Sequence, residues 1–183
     1  MATGARYFVP FRRRKEGRTD YHVRTKLLLS GIPRMVVRRT NRQIICQLVV
    51  PGDQGDQTLI SAYSAELKAF GYEGSFSGTP AAYLTGMLFA TKALAAGYEE
   101  AILDIGLARA QKGARVFAAL KGAVEAGLEI PHGESVLPDD ERTSGAVIAE
   151  LLLKGPETWQ RTLKKWKRHI MKQQEWLGLR KKP

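Results

Sequence analysis

The charges of this chain are sorted along its length, and the sorting limits where a core can form. Residues 1–42 hold 12 Lys/Arg against 2 Asp/Glu, residues 43–153 hold 7 against 14, and residues 154–183 hold 10 against 2. The three blocks are therefore net +10, −7 and +8 within a total of +11. The folded core belongs to the acidic middle, which holds the two cationic ends apart. Two cationic ends on an acidic middle point to a polyanion gripped from both sides, not to a small substrate in a pocket.

A chain of 183 residues has room for one ordinary domain with appendages, and 44% hydrophobic residues suffice for a core. The net positive charge puts nucleic acid first among partners and an anionic membrane second. No apolar run approaches the length of a bilayer-spanning helix. The first residues lead into an arginine cluster, so no secretory signal is expected. Cys46 is the single cysteine, which excludes an internal disulfide and a cysteine-based zinc site. A soluble cytoplasmic protein without a cofactor is the expectation.

Residues 1–33 read as a basic arm and first helix. Arg12, Arg13, Arg14 and Lys15 repel one another and have no apolar face, so an irregular arm is expected in the free protein. Thr19 or Asp20 can cap a helix running to Ser30, with Gly31 as its stop. Residues 34–130 read as the core. Arg34 to Arg39 and Gln43 to Val50 flank a hairpin connection at Thr40-Asn41-Arg42, and Thr58 to Ser64 continues an antiparallel meander. Thr79-Pro80 opens a helix running to Gly97. Ala101 to Ile105 is a short buried strand, and Ala114 to Ala126 is a second core helix. This alternation implies parallel pairing through crossovers, so the fold class is α/β with a mixed sheet.

Residues 131–155 form an acidic connection and a short helix from about Ser144 to Leu153. Residues 156–183 read as a basic amphipathic extension. At about 100° per residue, Trp159, Leu163, Trp166, Ile170 and Leu177 share a stripe roughly 60° wide. Arg161, Lys164, Lys165, Arg168 and Lys172 lie opposite, spread along roughly 17 Å of helix. That pattern suits an RNA, a membrane surface or a helix-binding protein. The matching arm at the other end favours RNA.

The Arg12–Lys15 cluster has the neighbours an RNA contact needs. Tyr7, Phe8 and Phe11 offer rings that stack on bases or ribose, and guanidinium forks match phosphate oxygens. Arg38, Arg39, Asn41 and Arg42 read equally well as an RNA-contacting hairpin or as an edge blunted by charge. The case for an enzyme is weak. His22, His132 and His169 have no metal-ligand spacing, and Gly74 to Gly78 lacks the Lys-Ser/Thr of a phosphate loop. Asp104 sits where a nuclease places a carboxylate for magnesium, so a metal-dependent RNA-processing nuclease with basic tails stands as the alternative; one carboxylate does not make a two-metal site. Cys46 alternates with Ile44 and Leu48 and is read as a small core residue.

The stretch from Phe11 through Arg-Arg-Arg-Lys-Glu-Gly-Arg-Thr-Asp to Tyr21, with Arg24 and Leu27-Leu28, resembles a family signature. Ala81 to Gly86, Ala101 to Gly106, Lys112 to Gly122 and Gly127 to Gly133 match the same family. It is the family of large-subunit ribosomal proteins that bind 5S rRNA, number eighteen in the universal ribosomal naming, in its archaeal and eukaryotic branch. The resemblance implies an α/β core, no catalysis, and a place in the central protuberance among rRNA and neighbouring ribosomal proteins. By matching position it assigns 5S rRNA contact to Arg12, Arg13, Arg14, Lys15, Arg18, Thr19, Tyr21 and Arg24, and also to Arg38, Arg39 and Asn41. Lys164, Lys165, Arg168 and Lys172 would contact rRNA from the C-terminal extension of that branch.

Overall fold

A computed structural model describes residues 4–5, 7–53 and 55–153. Three strands follow one another as an antiparallel meander: β1 (Arg34–Arg39), β2 (Ile44–Gly52) and β3 (Gly55–Tyr63). After helix α3 (Thr79–Ala95), strand β4 (Ile102–Asp104) joins the free side of β1 in parallel. The sheet order is β3-β2-β1-β4, so the expected mixed α/β sheet is present. Parallel pairing is limited to β1 and β4; beyond β4 there is an isolated bridge between Glu100 and Glu129.

Alternation decides which face of the sheet is apolar. Met35, Val37, Ile44, Cys46, Leu48 and Ala62 are all fully buried. The register sets Val37 opposite Cys46 and Met35 opposite Leu48, so these side chains pack as cross-strand neighbours on one face. Helices α3 and α4 (Arg115–Glu125) cover that face, α3 against β2 and β3 and α4 against β1. The two helices touch through glycine. A Cβ on Gly86 would lie 2.0 Å from the Ala119 carbonyl oxygen, and one on Gly122 would lie 2.1 Å from that of Tyr83. Only hydrogen fits at either position, which is what lets α3 and α4 sit backbone to backbone over a four-stranded sheet.

Local details depart from the sequence reading where tertiary contacts intervene. The arm is not irregular throughout: Arg12–Lys15 form one helical turn, α1, beginning after Phe11. Glu16 supplies the missing counter-charge, 3.8 Å from Arg12 and 3.2 Å from Arg18. Helix α2 (Tyr21–Leu28) is capped by Asp20, whose carboxylate accepts from the His22 and Val23 amides, and it ends short of Ser30. Gly78, not Thr79, precedes the first residue of α3. The helix expected from Ser144 is broken into α5 (Asp140–Ser144) and α6 (Ala146–Leu153) by Gly145, whose φ of +79° suits a residue without a Cβ. The C-terminal extension, with Lys164, Lys165, Arg168 and Lys172, lies outside the described residues. Among the described residues no helix is long and apolar enough to cross a membrane.

Candidate nucleic-acid interface

The basic arm folds back on itself and onto α2. Nε of Arg13 donates to the Thr19 hydroxyl at 2.9 Å, and the Phe11 and Tyr21 rings meet at 5.2 Å between centroids. These contacts close the loop between α1 and α2 and leave the cations outward. The Arg12 side chain is 83% exposed and that of Arg18 67%. Arg14 and Lys15 are exposed as well. Tyr7, Phe8 and Phe11 are 52%, 76% and 69% exposed, an unusual concentration of open aromatic surface beside a cation cluster. The arrangement supplies charge for phosphates and flat apolar faces for unstacked bases.

On the sheet side, the arginines are held by carboxylates. Arg24 of α2 donates to Asp56 of β3 at 2.8 Å, which ties the helix to the sheet. Arg34 of β1 donates to Oδ2 of Asp104 on β4 at 3.0 Å. Its Nη2 also lies 2.9 Å from Asp56, a charge contact without hydrogen-bond alignment, and its buried Nε has no partner. Arg38 donates to Oδ1 of Asp104 at 3.0 Å and to the carbonyls of Val37 and Asp104. The Gly106 amide donates to the same Oδ1 at 2.8 Å. Gly106 has φ +62°, and a Cβ there would meet the Arg38 guanidinium at 2.8 Å, so a glycine completes the socket. The result is a continuous alternating chain: Arg24, Asp56, Arg34, Asp104, Arg38.

This geometry redefines Asp104. Both of its oxygens accept from arginine, and one also accepts from a backbone amide. A carboxylate so engaged anchors cations; it does not present itself to magnesium. Among the described residues no three His, Cys, Asp or Glu side chains are grouped to hold a metal ion.

The sequence-predicted residues divide by environment. Arg12, Arg13, Arg14, Lys15, Arg18, Thr19 and Tyr21 come together on one face with Arg24. Arg38 reaches that face through its cleft with α2, whereas Arg39 and Asn41 are exposed at the β1–β2 hairpin. Thr40 shapes the hairpin by accepting from the Arg42 and Gln43 amides. Arg34 and Asp56 escaped the sequence reading. An arginine at the head of a hydrophobic strand signals a buried partner, but naming that partner requires the register of β1, β3 and β4. Elsewhere, Glu99, Glu100 and Glu129 line a separate open cleft with Tyr98, where like charge repels a polyanion. Burial pushes the Cys46 thiol up from 9.0 to about 12, consistent with a core residue.

Comparison with known proteins agrees with this geometry. Residues 5–99 and 96–133 match the family described as ribosomal large subunit proteins 60S L5, and 50S L18. The chain is 75% identical over 150 residues to the large ribosomal subunit protein uL18 of Methanoculleus marisnigri, covering 82% of this chain and 86% of that one. It is 67% identical to the protein of the same name from Methanospirillum hungatei, again over 150 residues, with 82% and 86% covered. With that of Halobacterium salinarum the identity is 54% over 150 residues, covering 82% of each.

Proposed function

Since the chain belongs to the family of ribosomal large subunit proteins 60S L5 and 50S L18, we propose that it binds 5S rRNA and helps attach it to the large subunit in the central protuberance. A role as a structural constituent of the large ribosomal subunit, in the cytoplasm among rRNA and other ribosomal proteins, follows from membership itself. Contact with 5S rRNA is carried by one observation: an exposed cation cluster, Arg12 to Arg18, flanked by exposed Tyr7, Phe8 and Phe11. The cations neutralise backbone phosphates, and the rings stack on bases splayed from loops or bulges. The folded acidic core keeps its own surface off the RNA and presents the arm. Arg39 and Asn41 extend the contact from the hairpin, and Lys164, Lys165, Arg168 and Lys172 extend it from the C-terminal segment. Catalysis has no part in this reading.

The test is 5S rRNA affinity measured against salt, for residues 1–183 and for a version lacking residues 1–19. Loss of the arm should weaken binding and flatten the salt dependence. If affinity and slope both stay unchanged, the arm is not the anchor.

A further inference from the structure

The cleft between the arm, α2 and the sheet is lined by Arg13, Arg18, Arg24, Arg34 and Arg38 and by Asp20, Asp56 and Asp104, enclosing about 130 Å³. Every carboxylate there is committed to an internal partner. Asp20 caps α2, Asp56 holds Arg24 and Arg34, and Asp104 holds Arg34, Arg38 and the Gly106 amide. Five guanidiniums against three carboxylates leave the cleft with excess positive charge. Arg34 is only 3% exposed, and its Nε is left without a hydrogen-bond partner. A buried charged donor without an acceptor is costly, and native folds rarely leave one unless an acceptor arrives from outside.

We propose that this cleft is a binding site for one phosphate group, framed by the chain Arg24, Asp56, Arg34, Asp104 and Arg38. A guanidinium has five N–H donors, and a carboxylate partner uses only some of them. Asp56 and Asp104 thus fix the three framing guanidiniums while leaving donors for a further anion. Arg13 and Arg18 close the site from the arm. A tetrahedral anion with several acceptor oxygens meets donors arriving from α2, β1 and the arm better than a planar carboxylate does. The phosphate is either a backbone phosphodiester of RNA or free inorganic phosphate. Only the first source rests on the 5S rRNA reading above. In both cases Asp56 and Asp104 are positioning residues.

The experiment follows thermal unfolding of the full chain in inorganic phosphate and in chloride at equal ionic strength. Phosphate also stabilises proteins by exclusion from their surface, so a variant with Arg13→Gln and Arg18→Gln sets the baseline. Wild type should gain more from phosphate than this variant does; an equal gain would overturn the site. Isothermal titration with inorganic phosphate then compares wild type with Asp56→Asn. Removing a negative charge strengthens anion binding if the carboxylate merely occupies the site, and weakens it if the carboxylate frames the site. The expected result is a loss of about threefold or more, with recovery in Asp56→Glu; tighter binding by Asp56→Asn would overturn the frame. Saturating 5S rRNA that abolishes the phosphate response identifies the backbone as the source, and a response that persists identifies free phosphate. Failure of wild type to bind 5S rRNA would sink the reading of the arm while leaving the phosphate titration to decide the cleft.

Discussion

Arg34 on β1 and Asp104 on β4 are joined at 3.0 Å with side chains only 3% and 9% exposed, so the one parallel strand pair is bolted by a buried ion pair. The carboxylate is shared with Arg38 and the Gly106 amide, and the guanidinium leans on Asp56. Removing the carboxylate strands a buried cation. Asp104→Ala should therefore cost about 3–5 kcal/mol, the usual penalty for orphaning one partner of a buried pair. Urea denaturation of both proteins measures it; a loss under about 1 kcal/mol would mean that solvent reaches Arg34 freely.

The α3–α4 contact predicts an inverted helix-propensity effect. Alanine in place of glycine within a helix ordinarily gains up to about 1 kcal/mol. Gly86→Ala would instead set a methyl 2.0 Å from the Ala119 carbonyl oxygen, and Gly122→Ala one 2.1 Å from that of Tyr83. Relief requires the helices to separate over the core. Each substitution should lose at least about 3 kcal/mol, the upper range for overpacking. Circular-dichroism melts of the two variants check the sign.

Salt dependence separates contacts in the arm. Arg12→Ala and Arg14→Ala remove exposed cations and leave the fold untouched. Each should reduce the slope of log affinity for 5S rRNA against log salt by about 0.7–0.9 if it neutralises one phosphate. Filter-binding titrations across a salt series read the slope. An unchanged slope in both variants would place those two side chains off the RNA.

Aromatic contact should govern preference, not bulk affinity. Tyr21 and Phe11 rest ring on ring beside the cations. Tyr21→Ala should lower the preference for 5S rRNA over an unrelated structured RNA by about 1–3 kcal/mol, the cost of one stacked base, with little change in salt slope. Retention of full preference would remove Tyr21 from the interface.

Cys46 offers a reporter of global unfolding. In the folded chain burial raises its pKa from 9.0 to about 12. Its contribution to stability is therefore present below pH 9.0 and lost as pH climbs from there towards about 12, because the unfolded chain releases the proton first. At neutral pH a thiol reagent should label Cys46 only at the rate set by opening of the core, and mild denaturant should accelerate labelling. Rapid labelling of the native protein would show that the β2 face opens locally.

Much of the architecture was legible in one dimension. The alternation of Ile44, Cys46 and Leu48 announced which face of β2 is buried, and turn residues at Thr40 to Arg42 announced the hairpin. Pro80 and Gly97 bracketed α3. These signals are local, since strand alternation, helix capping and turn chemistry depend on residues a few positions apart. The arm shows where that ends. Four adjacent cations read as irregular, yet Glu16, Thr19 and Tyr21 fold them into a turn packed on α2.

By itself the sequence determined where the core lies, the order of its elements and the sign of charge at each end, because hydrophobic periodicity and net charge are sums over neighbours. Only the tertiary structure decided what Arg34, Asp56 and Asp104 do. They are separated by 22 and 48 residues along the chain, and their meeting depends on the register of β1 between β2 and β4. A one-residue slip would turn every one of these side chains to the other face of the sheet. For the same reason Asp104, which in isolation suggested a metal, proved to be the anchor of two arginines.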